Sequence, residues 1–338
     1  MIRVAINGFG RIGKNFLRAY LFDERAQQQF KIVVINCGPG DITHAAYLFE
    51  YDTLLGTYPG LVAYENEQLL VDDVKINLIA QPDVQNINWK TWDVDWVVDC
   101  SGKFTHADQA RLHIKAGAKK VLISAPAHGE DITVVPGVNM NMFNPQHHTI
   151  VSLGSCTTNA FIPLIKVVHE AFGIEHGMMT TTHAYTNSQV LLDVEKHDLR
   201  RSRAAALNII PTSTGASAMV DKFFPDLAKR ITSVAVRVPV AKVSLIDFTF
   251  LVKKPISVEL LHLAFKTALN NDLAGILILT DEPLVSSDFA GDSHSVIVDT
   301  LLTSVQGHMG KLFGWYDNEW AYSVRLKDFL VHAAQLRS

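Results

Sequence analysis

The sequence predicts an α/β protein in two parts. A doubly wound parallel sheet occupies about the first 150 residues, and an α+β half with a mainly antiparallel sheet follows. Two observations carry this. Short apolar runs alternate with helical spacings through the first part. In the second part, strand-like runs succeed one another without such helices between them.

The elements read as follows. Residues 2–7, "IRVAIN", form a first strand that runs into the glycine turn "GFGRIG". In "KNFLRAYLF", Phe16, Leu17, Tyr20 and Leu21 share a helical face. Residues 32–35 are apolar throughout and form a buried strand ending at Asn36-Cys37. Residues 96–100 form another, ending at Ser101-Gly102. "HADQARLHIKAGA" is a helix with Gly117 as its stop, and "KKVLISAP" is the next strand. "SCTTNAFIPLIKVVHEAFG" reads as one long helix. The stretches "GMMTTTHAYT", "SVAVRVPV", "VSLIDFTFLV" and "HSVIVDT" are strands. The chain closes on a helix in which Leu326, Phe329, Leu330 and Ala333 recur near period 3.6.

Composition excludes several roles. The 338 residues are 48% hydrophobic and 19% charged, with a formal net charge of −4, which is a soluble globular balance. No basic block supports nucleic-acid binding. No uncharged apolar run approaches the roughly 20 residues that a membrane span needs. The three cysteines cannot all pair, and no metal-ligand spacing joins them, so a reduced, cytoplasmic setting without a metal site is expected. The N-terminus lacks signal-peptide architecture.

Gly8, Gly10 and Gly13 fit G-x-G-x-x-G directly after a strand and directly before a helix. Gly8 permits the tight turn, Gly10 lets a pyrophosphate approach, and Gly13 lets the helix pack on the sheet. Amides at the helix start then face phosphate charge. This is a Rossmann-type dinucleotide site; the bland alternative is an ordinary tight turn.

"SLGSCTTNA" places Cys156 at the start of the long helix, where a thiol pKa is expected to fall, as it is beside a histidine. For Cys156 alone, nucleophile and packing readings are both open. Cys37 and Cys100, at strand ends among apolar residues, read as buried bystanders to the chemistry. His183 in "TTTHAYTN" is a base candidate, and its company sharpens the case. Thr186 follows it, Arg200, Arg201 and Arg203 lie in "DLRRSRAAA", and "PTSTGA" supplies Thr214 and Gly215. Arg237 sits in an otherwise apolar strand and needs either an anion or a structural carboxylate. A dinucleotide turn, a thiol, a base and several phosphate-capable groups suit one reaction class. A thiolate adds to an aldehyde, hydride leaves to nicotinamide, and phosphate releases the resulting thioester as an acyl phosphate. The histidine takes the hydroxyl proton, and the Cys156 amide holds the oxyanion.

"INGFGRIG", "YDT", "AGAKKVLISAP", "SCTTN", "HAYTN", "DLRRSRAAALNIIPTSTGA", "RVPV" and "WYDNEWAYSVR" occur in this order across nearly the whole chain. The sequence thereby resembles phosphorylating glyceraldehyde-3-phosphate dehydrogenase. The resemblance implies oxidation of glyceraldehyde 3-phosphate with inorganic phosphate to 1,3-bisphosphoglycerate in glycolysis or gluconeogenesis, by a homotetramer. It implies that Cys156 and His183 are the catalytic pair. It implies that Ser155, Thr157, Thr186, Arg201, Thr214, Gly215 and Arg237 form two anion sites, one for the substrate's phosphate and one for inorganic phosphate. Arg11, Ile12, Ser124 and Asn318 would contact the cofactor beside Gly8, Gly10 and Gly13, and Tyr322 would pack near the nicotinamide end. The domains implied are a dinucleotide-binding domain at 1–155, a catalytic domain at 156–321, and a C-terminal helix at 322–338 that returns to the first domain. Two alternatives stand beside this: the sister erythrose-4-phosphate dehydrogenase, which typically lacks the "AYTN" string, and a scaffold that has kept the fold without the activity.

Four departures from the family pattern concern Cys37, Ala160, Ser188 and Val194-Glu195. Ala160 stands where a second cysteine is common, and Ser188 where aspartate is. Val194-Glu195 replaces a common Leu-Pro. Cys37 replaces the acidic residue that holds the adenine ribose and repels a 2′-phosphate. Gly38 and Gly40 leave room beside it for amides to face an anion. No arginine or lysine occurs in residues 32–43, while Asp41 and a neighbouring subunit's Glu195 would restore negative charge. NAD is therefore expected as the main cofactor, with NADP as a second.

Overall fold

The structure, a computed structural model, describes residues 1–336. The chain forms two compact units, one of residues 1–155 with the stretch from Ser323 onward, the other of residues 156–322.

The first unit contains β1 (Ile2–Asn7), α1 (Arg11–Leu21), α2 (Glu24–Gln29), β2 (Phe30–Asn36), α3 (Ala45–Glu50), β3 (Val62–Glu65), β4 (Gln68–Val71), β5 (Val74–Ile79), β6 (Trp96–Asp99), α4 (Ala107–Lys115), β7 (Lys120–Ile123), β8 (Ile132–Thr133) and β9 (Ile150–Ser152). Its sheet has the order β3-β4-β5-β2-β1-β6-β7-β9-β8. From β5 to β8 all pairs are parallel. Winding goes from β1 to β2 on one side and resumes with β6 on the other, so the switch point lies at β1. Val4, Ala5, Ile6, Val34, Ile35, Val97 and Val98 are fully buried, because a sheet covered on both faces takes apolar side chains on both. Phe16, Leu17 and Tyr20 of α1 are buried, and Phe30 meets Phe16 and Tyr20. The antiparallel meander β3-β4-β5 extends one edge, an addition the sequence reading did not anticipate.

The second unit contains α5 (Cys156–Phe172), β10 (Ile174–Ala184), β11 (Ile210–Thr212), α6 (Ala216–Phe223), β12 (Ile231–Val238), β13 (Ser244–Val252), α7 (Val258–Leu269), β14 (Leu277–Thr280), β15 (Val296–Gln306), β16 (Met309–Tyr316) and the start of α8 (Trp320–Gln335). Sheet order is β11-β12-β10-β13-β16-β15-β14. The β10–β12 and β14–β15 pairs are parallel and the rest antiparallel. Helix α5 buries almost every residue of its first three turns, and Phe161 meets Phe248 edge-on at 5.0 Å. Pro163 lies inside this helix. Its missing N–H is tolerated because tertiary packing holds the helix. The later part of α8 belongs to the first unit, where Phe329 packs on Trp96 and Phe143 and Lys327 pairs with Asp23.

A buried polar chain crosses the first unit beneath its strand ends. Asn36 Nδ2 donates to Asn7 Oδ1 (2.8 Å), and Asn7 Nδ2 donates to Asp99 Oδ2 (2.6 Å). His113 Nε2 stands 3.2 Å from the same carboxylate oxygen, and Trp89 Nε1 donates to His113 Nδ1 at 3.3 Å. The indole can only donate, so Nδ1 accepts and Nε2–H points to Asp99. His113→Ala would leave Asp99 and Trp89 each short of a partner in a site that water does not reach. The expected cost is about 3 kcal/mol, read as a shift of the urea midpoint at unchanged m.

Candidate active site

Cys156 opens α5 and His183 is the penultimate residue of β10. Cys156 Sγ and His183 Nε2 are 3.6 Å apart. His183 Nδ1 lies 2.6 Å from Ala184 O. The two neighbours of Nδ1 ask for opposite tautomers: Ala184 O only accepts and would take an N–H from Nδ1, whereas the Arg237 guanidinium only donates; in the tautomer with the hydrogen on Nδ1, the Nε2 lone pair faces the thiol. Burial, then the Arg237 guanidinium, pushes the imidazole down to about 3, so it is neutral near pH 7.

The clamp behind this pair was not anticipated. The Tyr316 hydroxyl sits 2.9 Å from Thr157 Oγ1 and 2.8 Å from Thr181 Oγ1, and its ring stands edge-on to His183. Thr157 follows the cysteine, and Thr181 precedes the histidine by two residues on the same strand face. Only the "WYDNEW" run hinted at Tyr316.

Arg237 lies opposite His183 in the β10–β12 register. Its NH1 donates to Ala184 O at 2.9 Å and lies 2.7 Å from His183 Nδ1. Its Nε is buried without a hydrogen-bond partner among the described residues. Burial holds its pKa down; the titratable neighbours acting on it are Cys156, Tyr316 and Arg201, and none is a carboxylate. Arg201 Nε donates to Thr212 Oγ1 (2.8 Å), and Asp198 lies 3.6 Å away. Thr186 Oγ1 meets Ser188 Oγ at 2.9 Å, and Thr214 Oγ1 accepts from Ala216 N. Gly215 caps α6 with open space around its α-carbon.

Burial pushes the Cys156 thiol up; Arg237, and then hydrogen bonds involving Thr157, act against it. This differs from the lowering expected from the sequence. The neutral histidine contributes no charge, and half-burial of the residue removes water.

In the first unit a cleft of about 380 Å³ opens at the switch point, with Asn7, Gly8, Gly10, Cys37, Cys100 and Ser101 among its walls. Gly8 has φ +96°, and a Cβ there would lie 2.7 Å from Ser101 N. A Cβ on Gly13 would lie 2.3 Å from Gly8 O, whereas one on Gly10 would meet nothing within 4 Å. The turn is thus tight on two sides and open on the third, and no side chain caps the start of α1. That cradle fits a dinucleotide pyrophosphate. Ile12 lies in the first turn of α1. Arg11 turns its side chain to Asp52, leaving its backbone for the cradle. Ser124 Oγ donates to Asp99 O at 2.7 Å. Burial pushes the Cys37 thiol up to about 11, so it is neutral. Asn318 accepts from Ser244 Oγ, and Tyr322 is buried.

Residues 2–107 match the family model of the glyceraldehyde 3-phosphate dehydrogenase NAD binding domain, and residues 155–318 match the C-terminal domain of the same enzyme. The chain belongs to the glyceraldehyde-3-phosphate dehydrogenase family. It is 46% identical to glyceraldehyde-3-phosphate dehydrogenase 2 of Streptomyces arenae over 97% of both chains. It is 44% identical to the enzyme of Geobacillus stearothermophilus over 98% of both. Against glyceraldehyde-3-phosphate dehydrogenase 2 of Bacillus subtilis (strain 168) it is 43% identical over 98% of this chain and 97% of the relative. As a member of the glyceraldehyde-3-phosphate dehydrogenase family, the chain is an oxidoreductase whose main cofactor is NAD. No helix among the described residues is long and apolar enough to cross a membrane, and none of their His, Cys, Asp and Glu groupings could hold a metal ion.

The glycine geometry separates folding from binding. Gly13→Ala should cost about 1–3 kcal/mol by forcing backbone apart. Gly10→Ala should leave the melting temperature within about 2 °C yet lower NAD affinity at least about tenfold, in thermal unfolding and fluorescence titration. The thiol offers a second check. Arg237→Leu removes the positive charge that favours the thiolate, so the pH profile of Cys156 alkylation by iodoacetamide should move up by about one unit.

Proposed function

We propose that Cys156 and His183 carry out the phosphorylating oxidation of glyceraldehyde 3-phosphate, and that the 3.6 Å approach of thiol and neutral imidazole is the observation that carries the assignment. His183 Nε2 takes the thiol proton as Sγ bonds to the aldehyde carbon, giving a hemithioacetal. The Cys156 amide, at a helix start, faces the developing oxyanion. His183 Nε2–H returns its proton to that oxyanion, which becomes the hemithioacetal hydroxyl, and Nε2 takes the proton back as the C–H bond breaks and the thioester forms. When bound, NAD supplies the two-electron acceptor for that conversion. Inorganic phosphate then attacks the thioester carbon, the C–S bond breaks, and 1,3-bisphosphoglycerate leaves with the thiolate regenerated.

Arg237 and Arg201, with Thr186, Thr214, Gly215, Ser155 and Thr157, are assigned to the two anion sites. Two guanidiniums within each other's field, one with a buried N–H lacking a partner, form a site completed by an anion. Gly8, Gly10, Gly13, Ile12, the Arg11 backbone, Cys37 and Ser124 would hold the dinucleotide, with Asn318 and Tyr322 at the nicotinamide end. NADP is taken as a second cofactor. A cytoplasmic homotetramer fits the exposed apolar residues Leu191, Leu199, Leu207 and Ile209 between β10 and β11, which a neighbouring subunit would cover.

Cys156→Ser tests the assignment. A hydroxyl is a far weaker nucleophile at neutral pH, so single-turnover formation of acyl-enzyme should disappear and turnover should fall at least about a thousandfold. Retention of NAD affinity would locate the loss in the chemistry. Near-normal turnover would overturn it.

A further inference from the structure

The cleft at the switch point carries a cation that the strand following the glycine turn does not supply. Lys103, on the loop between β6 and α4, lines it together with Cys37, Gly38, Pro39, Gln81, Pro82 and Phe104. Among the described residues, no carboxylate lines this cleft, and the Lys103 ammonium has no ion-pair or hydrogen-bond partner.

The loop that presents it is pinned. Asp99 Oδ1 accepts from Ser101 N (3.2 Å) and Ser101 Oγ (2.8 Å), and Ser101 Oγ accepts in turn from Lys103 N (3.2 Å). Phe104 packs on His113 at 4.9 Å and on the core around Trp89. The backbone carrying Lys103 is therefore anchored to the buried Asn7–Asp99–His113 chain.

Two other sources of charge at this end are spoken for. Asp41 turns its carboxylate to Thr43, accepting from its amide (2.9 Å) and hydroxyl (2.7 Å), and does not line the cleft. The Gly38 amide donates to Asn36 Oδ1 (3.1 Å), so it is not free for an anion as the sequence alone allowed. With the pyrophosphate at the glycine turn, the residue after β2 stands at the adenine ribose. That residue is the neutral Cys37, and the one unpaired charge sharing its cleft is positive.

We propose that Lys103 reads the adenosine 2′-phosphate, making this end of the cleft a site for 2′-phosphorylated adenosine so that the chain binds NADP alongside NAD. The proposal rests on the dinucleotide reading of the cleft. An ammonium–phosphate contact replaces the carboxylate–ribose contact, and the missing acidic side chain removes the repulsion that would otherwise reject the phosphate.

Isothermal titration of the full-length protein with adenosine 2′,5′-bisphosphate and with 5′-AMP isolates this end from the chemistry. The native chain should bind the bisphosphate about tenfold more tightly than 5′-AMP. Lys103→Gln should abolish that preference while moving 5′-AMP affinity less than about twofold, and Lys103→Arg should restore it. Raised salt should weaken the bisphosphate selectively in the native chain and not in Lys103→Gln. Equal weakening of both ligands by Lys103→Gln would overturn the proposal, since the lysine would then serve a group common to both. So would a native chain that binds NAD yet shows no preference for the bisphosphate. A native chain that binds neither NAD nor either nucleotide would instead overturn the dinucleotide reading itself.

Discussion

One buried hydroxyl holds the two halves of the catalytic pair together. Cys156 comes from a helix start and His183 from a strand end, and nothing covalent sets their separation. Tyr316, on a third element, accepts or donates at both Thr157 and Thr181, each beside one member of the pair. Burial of all three groups makes either bond expensive to lose, because no water stands ready to replace it. Helix α5 is packed along its first three turns and cannot slide. The reacting atoms are therefore pre-positioned by packing and two hydrogen bonds, without a flexible loop.

Charge is arranged with less internal compensation than a stable core would choose. Arg237 is desolvated, lies within the field of Arg201, and has no carboxylate among its titratable neighbours. The same desolvation drives the thiol up and the imidazole down. An incoming anion reverses two of these three shifts: negative charge near Arg237 offsets its desolvation and reduces its pressure on His183, while it favours the protonated thiol further. The site is built to be most stable when occupied, a familiar compromise between folding and binding.

Much of this was legible in residue order. Strands β1, β2, β6 and β7 read correctly because a doubly covered sheet makes them short with apolar centres. The meander at residues 62–79 did not, because its turns use Asn66, Glu67 and Asp72 at positive φ instead of glycine, and half its side chains face solvent. In the site, Cys156, His183 and Arg237 stood out by chemical type. Tyr316, Thr181 and Lys103 did not, since hydroxyls and lysines are common, and only the fold brings the first two beside the catalytic pair and the third into the cleft of the first unit. The direction of the thiol's shift was also hidden, because burial depends on neighbours distant in sequence. The pairing of Arg11 with Asp52 was hidden for the same reason.

The parallel register that sets Arg237 across from His183 also governs where the chain can change length. A strand repeats every two residues, so one residue gained or lost between Ile231 and Arg237 would turn the guanidinium to the opposite sheet face. The connection from Tyr185 to Ile209 has no strand repeat to keep: it is tied by the Val190–Ala204 bridge and by Arg201 to Thr212, while Leu191, Leu192, Leu199 and Leu207 point outward. Diverging copies of this gene should therefore keep the β12 strand at constant length and confine insertions and deletions to the outward stretches of that connection, away from Thr186 and Arg201.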